Sequence, residues 1–271
     1  MKLLFTDLDG TFLSDDKQVC QANLEAMARM TEAGHKIVFT SGRSVDSVMA
    51  LIERLSLNVG GSYVIGFNGA QIADAVTGER LVRRGLPFDL TAELFAAAHA
   101  AGVHPQAYDD VQVVAERDTP ALQRYCRVIG MDAVVVPDAA ACLREAGKES
   151  SKLLMIDYED HEKLERFRLQ MTERYGDVID TFYSNPAFCE VVCKGVNKGF
   201  AVRELCRILN VPLEDTVSAG DEGNDIPMLQ AAHTGCAVAN ATAEVKAAAD
   251  YVTRADNNTG AVAEIIERFV L

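Results

Sequence analysis

The stretch FTDLDGT, residues 5–11, places two aspartates directly after an apolar run. The apolar residues 3–5 are typical of a short buried strand. Side chains two positions apart on a strand point the same way, so Asp7 and Asp9 can converge on one spot. Gly10 then lets the backbone turn sharply. Because Asp and Gly are also common in solvated turns, the motif alone is compatible with a plain turn as well.

The segments that follow alternate between strand-like and helical patterns. Strands are predicted in KIVFTSGR (36–43) and YVIGFNGA (63–70), with helical periodicity over 21–31 and 45–57. This order predicts parallel strands joined by right-handed crossovers, in a sheet covered on both faces. Ligands of such sheets bind beyond the carboxyl ends of the strands, where all three segments so far carry polar residues.

The carboxyl-terminal part of the chain has the same character. A predicted helix over 198–209 precedes TVSAGD (216–221), a fourth strand that ends in a carboxylate. Further elements are predicted at GCAVAN (235–240), DYVT (250–253) and, as a last helix, 261–269. We therefore predict an α/β fold whose Rossmann-like parallel-sheet core is formed by residues 1–82 and 186–271.

Residues 83–185 behave differently and are predicted to form an inserted α+β domain. Its helices and strands are expected, in chain order, at 91–101, 105–115 (a strand pair), 120–128, 152–157, 161–175 and 178–183. The Pro and Gly signals of RRGLP (83–87) and SNPAF (184–188) suggest hinges at its two ends.

Composition excludes several classes of function. The formal charge of −14 argues against nucleic-acid binding, which depends on clustered Lys and Arg. No apolar segment of signal-peptide or membrane-spanning length is present at the amino terminus, so we expect a cytoplasmic protein without a membrane partner. The seven cysteines form no CxxC pair or zinc-ligand spacing, and the five histidines form no HExxH pattern.

Four motifs occur in one order along the chain: FTDLDGT (5–11), TSGR (40–43), Lys198 in GVNKGFAV, and GDEGND (220–225). Together they resemble the haloacid dehalogenase superfamily of phosphotransferases. With NGA at 68–70 and the large insertion, the chain looks like the Cof-type phosphatases that carry a type IIB cap. The resemblance implies that the insertion is a cap over the mouth of the site, where it selects the substrate.

The resemblance also implies roles for the acidic residues. Asp7 would attack phosphorus and form an aspartyl-phosphate, and Asp9 would act as general acid and base. The implied ligands of Mg²⁺ are the Asp7 carboxylate, the Asp9 backbone carbonyl and the Asp221 carboxylate, a hard oxygen set that suits this ion. To protonate the leaving group Asp9 must hold a proton, and we expect the nearby carboxylates to raise its pKa.

Phosphate binding is implied for five residues. Ser41 and the Gly42 amide would hold a phosphoryl oxygen near the start of a helix, where backbone donors favour anions. Lys198 would neutralise the developing charge and restrain Asp7. Leu8 and Asn224 complete the predicted set, although Asn224 is equally suited to capping the helix that begins near Ile226.

Four further residues are weaker candidates. Glu222 stands beside Asp221 and is a candidate for the metal or for a supporting role. Asp225 would orient a water or Lys198, with helix capping as the alternative. Arg43 can reach the insertion or brace the core through a carboxylate. Lys152 is a candidate substrate contact in the insertion, or a solvated lysine at a strand edge.

The function predicted from the sequence is an Mg²⁺-dependent phosphatase of small phosphorylated metabolites, either sugar phosphates or phosphorylated cofactors. Phosphoryl transfer to a second metabolite, as in related mutases, is the enzymatic alternative. A catalytically silent metabolite-binding protein on the same fold is the alternative from another class. Neither the substrate nor the oligomeric state follows from the sequence.

Overall fold

The structure is a computed structural model that describes residues 1–57 and 60–271. The chain divides into two compact units. The first consists of Met1–Val82 and Asn197–Leu271, and the second of Arg83–Val196.

The strands in the described residues are, in chain order, β1 (Leu3–Asp7), β2 (Lys36–Thr40), β3 (Tyr63–Gly66), β4 (Gln71–Asp74), β5 (Arg80–Arg83), β6 (His104–Tyr108), β7 (Val113–Ala115), β8 (Ala133–Val135), β9 (Leu153–Ile156), β10 (Ile179–Asn185), β11 (Phe188–Cys193), β12 (Thr216–Gly220), β13 (Thr234–Ala237) and β14 (Tyr251–Val252).

The α-helices described are α1 (Gln21–Glu32), α2 (Val45–Arg54), α3 (Phe88–Ala101), α4 (Pro120–Ile129), α5 (Ala139–Glu145), α6 (His161–Tyr175), α7 (Lys198–Leu209), α8 (Ile226–Ala231), α9 (Ala243–Ala248) and α10 (Ala261–Ile265). Short 3₁₀ turns lie at Phe67–Gly69, Leu213–Asp215 and Gly223–Asp225, and α10 continues as a π-helical turn over Ile266–Val270. None of the helices in this described part of the chain combines the length and the apolar character needed to cross a bilayer.

The first unit is built on one sheet, whose strand order over the described residues is β14-β13-β12-β1-β2-β3-β4-β5. The pairs from β14 to β3 are parallel, and β3 pairs with β4 in antiparallel fashion. One apolar cluster includes Leu4, Phe39 and Val64, and a second includes Phe5 and Val38. Because neighbouring residues of a strand face opposite ways, the sheet is buried on both sides, and the predicted α/β class is confirmed.

The register of the central strands decides where the polar loops lie. Asp7 at the end of β1 pairs with Thr40 at the end of β2. Thr6 pairs with Ala219 near the end of β12. The loops that follow these three strands therefore leave the sheet at the same edge, as expected for a ligand site of a parallel sheet.

The second unit contains a sheet of order β10-β11-β9-β6-β7-β8 among the described strands. Its strands pair in antiparallel fashion from β10 to β7, and β7 pairs in parallel with β8. Its own apolar core includes Phe95, Phe167 and Met155. This unit has the α+β character predicted for the insertion.

Several details differ from the sequence-based expectation. The predicted hinge at 184–188 lies within the β10–β11 hairpin, because Phe188–Cys193 forms a strand between β10 and β9. The second unit consequently ends at Val196 and not at residue 185. The short elements β4, β5, β8, α5 and α9 are absent from the sequence-based prediction, since each is too brief to show a clear period.

Candidate active site

The amino terminus of α7 places Lys198 in the interior of the first unit. The side chain of Asn197 caps the helix by accepting a hydrogen bond from the Phe200 N–H at 2.9 Å. Lys198 Nζ lies 2.5 Å from Asp7 Oδ1 and 2.5 Å from Asp225 Oδ1. The Lys198 side chain is completely buried. A buried lysine needs such partners, because an isolated ammonium is costly to remove from water.

The NGA segment (68–70) packs closely against the start of α7. Gly69 has a φ of 108°, a conformation that other residues rarely adopt. A Cβ atom there would overlap the Asn197 carbonyl oxygen. Glycine at this position thus allows the turn after β3 to approach the residue that precedes Lys198.

Asp225 organises the loop after β12. Its Oδ2 accepts hydrogen bonds from the backbone N–H groups of Asp221 at 3.0 Å and Glu222 at 3.1 Å. The side chains of Glu222 and Asp225 form a reciprocal capping box around the 3₁₀ turn that leads into α8. The other oxygen of Asp225 contacts Lys198, the orienting contact that was considered for it, whereas its side chain makes no cap hydrogen bond to α8 itself. Glu222 acts in the capping box.

Asp221 completes a group of three carboxylates. One oxygen each from Asp7, Asp221 and Asp225 lies within 4.8 Å of the others, close enough to hold a metal ion. Thr11 Oγ1 donates to Asp221 Oδ1 at 2.6 Å. A Cβ atom at Gly10, whose φ is 84°, would overlap Asp221 Oδ2, so the DG turn of the first motif is what permits this approach.

The charges of this cluster are unbalanced. Burial raises the pKa of Asp7 well above its usual range, Lys198 opposes that shift, and the neighbouring Asp225 adds to it. Burial also raises the pKa of Asp221 to about 6. For Lys198, burial alone would lower the pKa, but Asp225 and Asp7 outweigh it and raise the pKa. The Lys198 ammonium contacts two of these three carboxylates, and the remaining excess of negative charge favours a further cation.

The Asp9 carboxylate is paired with two cations. Arg43 Nε donates to Asp9 Oδ2 at 2.9 Å and Arg43 Nη2 to Asp9 Oδ1 at 2.7 Å. Lys17 Nζ lies 2.8 Å from Asp9 Oδ1. Partial burial alone would raise the pKa of Asp9, but Lys17 and Arg43 outweigh it and lower the pKa. The expectation of a raised pKa was wrong, because Lys17 and Arg43 contact this carboxylate and stabilise its charged form.

The TSGR loop is held by its main chain at the ends of β2 and β3. The Ser41 N–H donates to the Ile65 carbonyl at 2.9 Å, and Ser41 Oγ accepts from the Arg43 N–H at 3.1 Å. The Arg43 carbonyl accepts from the Phe67 N–H at 2.8 Å. Arg43 thus braces the core through a carboxylate, one of the two roles left open for it.

Asn68 and Asn224 form a direct pair. Asn224 Nδ2 donates to Asn68 Oδ1 at 3.0 Å, and the Asn68 N–H donates to the Ser41 carbonyl at 3.0 Å. Asn68 has a left-handed φ of 55°, which asparagine tolerates better than most residues. The capping alternative for Asn224 is not what the structure displays, since the cap is formed by Glu222 and Asp225.

Lys152 is a buried lysine and not a solvated lysine at a strand edge. It is buried in the second unit, and its Nζ lies 2.9 Å from Glu190 Oε2 on the neighbouring strand β11. Burial alone would lower the pKa of Lys152, and the Glu190 carboxylate outweighs it and raises the pKa. The solvated interpretation is therefore wrong.

Leu8 directly follows β1, and Gly42 lies in the loop that follows β2. The Leu8 side chain lies in the apolar core, and its carbonyl accepts from the Leu13 N–H at 2.9 Å. Gly42 follows Ser41 at the sheet edge. Sequence reasoning missed Thr11 and Lys17. The threonine directly after the DG turn was a signal for the first, whereas no local pattern indicates the second.

Comparison with known proteins agrees with the geometry. The family of haloacid dehalogenase-like hydrolases matches residues 4–266. A relative from Streptococcus pyogenes is 31% identical over 100% of this chain and 99% of its own length. A crystal structure of a haloacid dehalogenase-like hydrolase from Bacteroides thetaiotaomicron superposes with a TM-score of 0.85, at 29% identity and 98% coverage of both chains.

Two relatives carry specific activities in their names. The 5-amino-6-(5-phospho-D-ribitylamino)uracil phosphatase YitU of Bacillus subtilis is 27% identical over 99% of this chain and 98% of its own. The pyridoxal phosphate phosphatase YbhA of Escherichia coli is 26% identical over 98% of this chain and 97% of its own length.

The family match covers nearly the whole chain, and the residues of all four motifs meet at one edge of the sheet of the first unit. This protein therefore belongs to the haloacid dehalogenase-like hydrolases and is of the Cof type that its motifs indicated.

Proposed function

We propose that the protein is an Mg²⁺-dependent phosphatase that hydrolyses small phosphorylated metabolites through an aspartyl-phosphate on Asp7. The observation that carries the proposal is the position of Asp7 at the end of β1, in contact with Lys198 and beside Asp221. A carboxylate nucleophile, an ammonium and a candidate metal ligand are the groups that phosphoryl transfer requires at one point.

The proposed reaction has two steps. A carboxylate oxygen of Asp7 attacks phosphorus while the bond to the ester oxygen breaks, and the leaving alkoxide takes a proton from Asp9. Because Lys17 and Arg43 lower the pKa of Asp9, this carboxyl must take up that proton when the negatively charged phosphate ester binds. Asp9 then removes a proton from water, whose oxygen attacks phosphorus and releases phosphate and the Asp7 carboxylate. Lys198 stabilises negative charge on the phosphoryl oxygens throughout.

The donor set fits a hard divalent cation. Asp7 and Asp221 offer carboxylate oxygens, whereas Asp225 already accepts bonds at both oxygens from Lys198 and the loop amides. We therefore assign Asp225 to orienting its neighbours and assign metal binding to Asp7, Asp221 and the Asp9 carbonyl. Mg²⁺ bound there would offset the excess of carboxylates and the charge of the phosphoryl group.

Phosphate binding is proposed for Ser41, the amides of Leu8 and Gly42, Lys198 and Asn224. Asn224 supports this assignment through its bond to Asn68, because that bond orients its amide beside the TSGR loop. The helix that follows this loop begins at Val45 and has Ser44 as its cap. Backbone donors at the start of a helix favour anions.

The substrate class is a small phosphate monoester, a sugar phosphate or a phosphorylated cofactor. YitU and YbhA act, by their names, on different phosphorylated molecules at nearly the same identity to this chain. Identity at this level supports the class and leaves the individual metabolite open. We further propose that the second unit serves as the cap that selects among such substrates.

A panel of phosphate monoesters tests the proposal. Purified protein is assayed for phosphate release with Mg²⁺, with excess EDTA, and with EDTA followed by excess Mg²⁺. We expect release that EDTA abolishes and Mg²⁺ restores, and no release from the Asp7→Asn variant. Full activity in EDTA would refute the metal assignment. Transfer of phosphate to a second metabolite without release would favour a mutase, and inactivity on the whole panel would favour a silent binding protein.

A further inference from the structure

We propose that Lys17 is a positioning residue for Asp9, holding the acid/base carboxylate in one orientation together with Arg43. The inference rests on the proposed phosphatase function and adds to it a residue outside the four motifs. It rests on the contact of the Lys17 side chain with Asp9 and on the left-handed backbone conformation of Lys17.

The two carboxylate oxygens of Asp9 have different numbers of contacts with cationic groups. Oδ1 is contacted by Arg43 Nη2 at 2.7 Å and by Lys17 Nζ at 2.8 Å. Among the described residues, the hydrogen bond to Oδ2 comes from Arg43 Nε at 2.9 Å. A carboxylate oxygen has two lone pairs, so Oδ1 is fully engaged and Oδ2 keeps one free. The geometry thus points to Oδ2 as the oxygen that exchanges a proton with the leaving group and with water.

Lys17 reaches Asp9 from a tight turn. The Ser14 N–H donates to the Gln18 carbonyl at 2.9 Å, and the Lys17 N–H donates to the Ser14 carbonyl at 2.9 Å. Lys17 itself has a φ of 60°, in the left-handed region that a lysine adopts only at an energetic cost. An outlier of this kind supports a functional role for the side chain that it directs.

The turn has anchors that do not involve the Lys17 side chain. Asn257 Nδ2 donates to the Leu13 carbonyl at 3.1 Å and to Asp15 Oδ1 at 2.9 Å. Lys17 and Asp9 are half-exposed, with 50% and 35% of their side chains accessible. Ion pairs this exposed contribute little to stability, so a purely structural reason for the contact is weak. Its value lies in orienting Asp9.

The test uses two variants that differ in their effect on the turn. Lys17→Gln removes the charge and leaves the strained backbone residue, whereas Lys17→Gly also relieves the strain, because glycine adopts this φ freely. Arg29→Gln is the control, since it breaks the Arg29–Glu267 ion pair, of similar exposure, elsewhere in the first unit. Each variant is assayed on p-nitrophenyl phosphate and on an alkyl phosphate, and its thermal midpoint is measured.

Both Lys17 variants, each compared with the wild type at its own pH optimum because Lys17 also lowers the pKa of Asp9, should lower kcat/KM for the alkyl phosphate by about 10-fold, part of the 10² to 10⁴ that a general acid contributes. The activated ester needs little proton donation, so its kcat/KM should change less than about twofold. Lys17→Gly should unfold at the wild-type temperature or above it. If both variants keep the wild-type ratio between the two esters, the inference is refuted.

The same assay separates this inference from the proposed function. Asp7→Asn must abolish turnover of both esters if the phosphatase proposal holds. An active Asp7→Asn variant overturns that proposal. An inactive Asp7→Asn variant, together with Lys17 variants that behave as wild type, overturns the role of Lys17 alone.

Discussion

Asp225 Oδ1 lies 2.5 Å from Lys198 Nζ, and neither side chain is exposed by more than 1%. The same Asp225 carboxylate binds the amides of the loop that carries Asp221. One residue therefore orients both the ammonium that contacts Asp7 and the loop that brings Asp221 to it. The site depends on this buried ion pair for its geometry as well as for its charge.

Asp225→Asn should consequently lower both stability and activity. Removing one partner of a buried ion pair costs about 3–5 kcal/mol where the remaining charge is left uncompensated, and the cost should be smaller here because Asp7 still contacts Lys198. Loss of an orienting partner should lower kcat about 10- to 100-fold. Urea unfolding and steady-state kinetics measure the two effects.

Arg207→Gln is the matched control, since it breaks an ion pair with Glu204 on the surface of α7. Its free energy of unfolding should fall by less than about 1 kcal/mol. Equal effects of Asp225→Asn and Arg207→Gln would contradict the role assigned to Asp225.

The two aspartates of the first motif should differ in mutant kinetics. Asp7→Asn should eliminate turnover, because the nucleophile is lost. Asp9→Asn should slow turnover by about 10² to 10⁴ and less for activated leaving groups. A plot of log kcat/KM against leaving-group pKa measures this dependence. A Asp9→Asn variant with the wild-type slope would show that Asp9 donates no proton to the leaving group.

His104 should make the stability of the second unit depend on pH. Its ring is buried, and desolvation lowers its pKa to about 4. Since the unfolded chain binds a proton near pH 6.5, it holds more protons than the folded chain between about pH 4 and 6.5. The His104 contribution is therefore present above pH 6.5 and is lost as the pH falls through this window, by up to about 3 kcal/mol.

Urea unfolding at pH 7 and pH 5, compared between wild type and His104→Gln, measures this contribution. The substitution should reduce the difference in unfolding free energy between the two pH values. An NMR titration that finds the His104 pKa near 6.5 in the folded protein would rule out the effect.

The Lys152–Glu190 pair predicts a compensating double substitution. Lys152→Met alone leaves the Glu190 carboxylate buried without this cation and should destabilise by about 3–5 kcal/mol. Lys152→Met with Glu190→Leu removes both charges and should recover most of that loss. A double-mutant cycle in urea measures the coupling. Additive losses would mean that the two side chains are stabilised independently of each other.

Some of this architecture follows from local sequence. The alternation of apolar strands with amphipathic helices predicts the parallel sheet, because each period reflects which face of an element is buried. The predicted bounds of α6 and α7, at 161–175 and 198–209, agree with the observed ones because both helices begin at a clear cap signal. The polar ends of β1, β2 and β12 likewise indicated where the site lies.

What the tertiary structure alone decided is the ionic state of individual side chains. The Asp9 carboxylate accepts a hydrogen bond from Arg43, which is 34 residues away in the sequence. Its pKa is lowered as a result of this contact and of Lys17, whereas a raised pKa was expected. Lys152 contacts Glu190, which is 38 residues away in the sequence. It is buried, whereas one of the two sequence-based interpretations was a solvated lysine. Charge and burial act through space over a few ångströms, whereas sequence patterns report only which face a residue occupies. The motifs therefore identify the groups of the site, and the folded contacts decide which proton or charge each group carries.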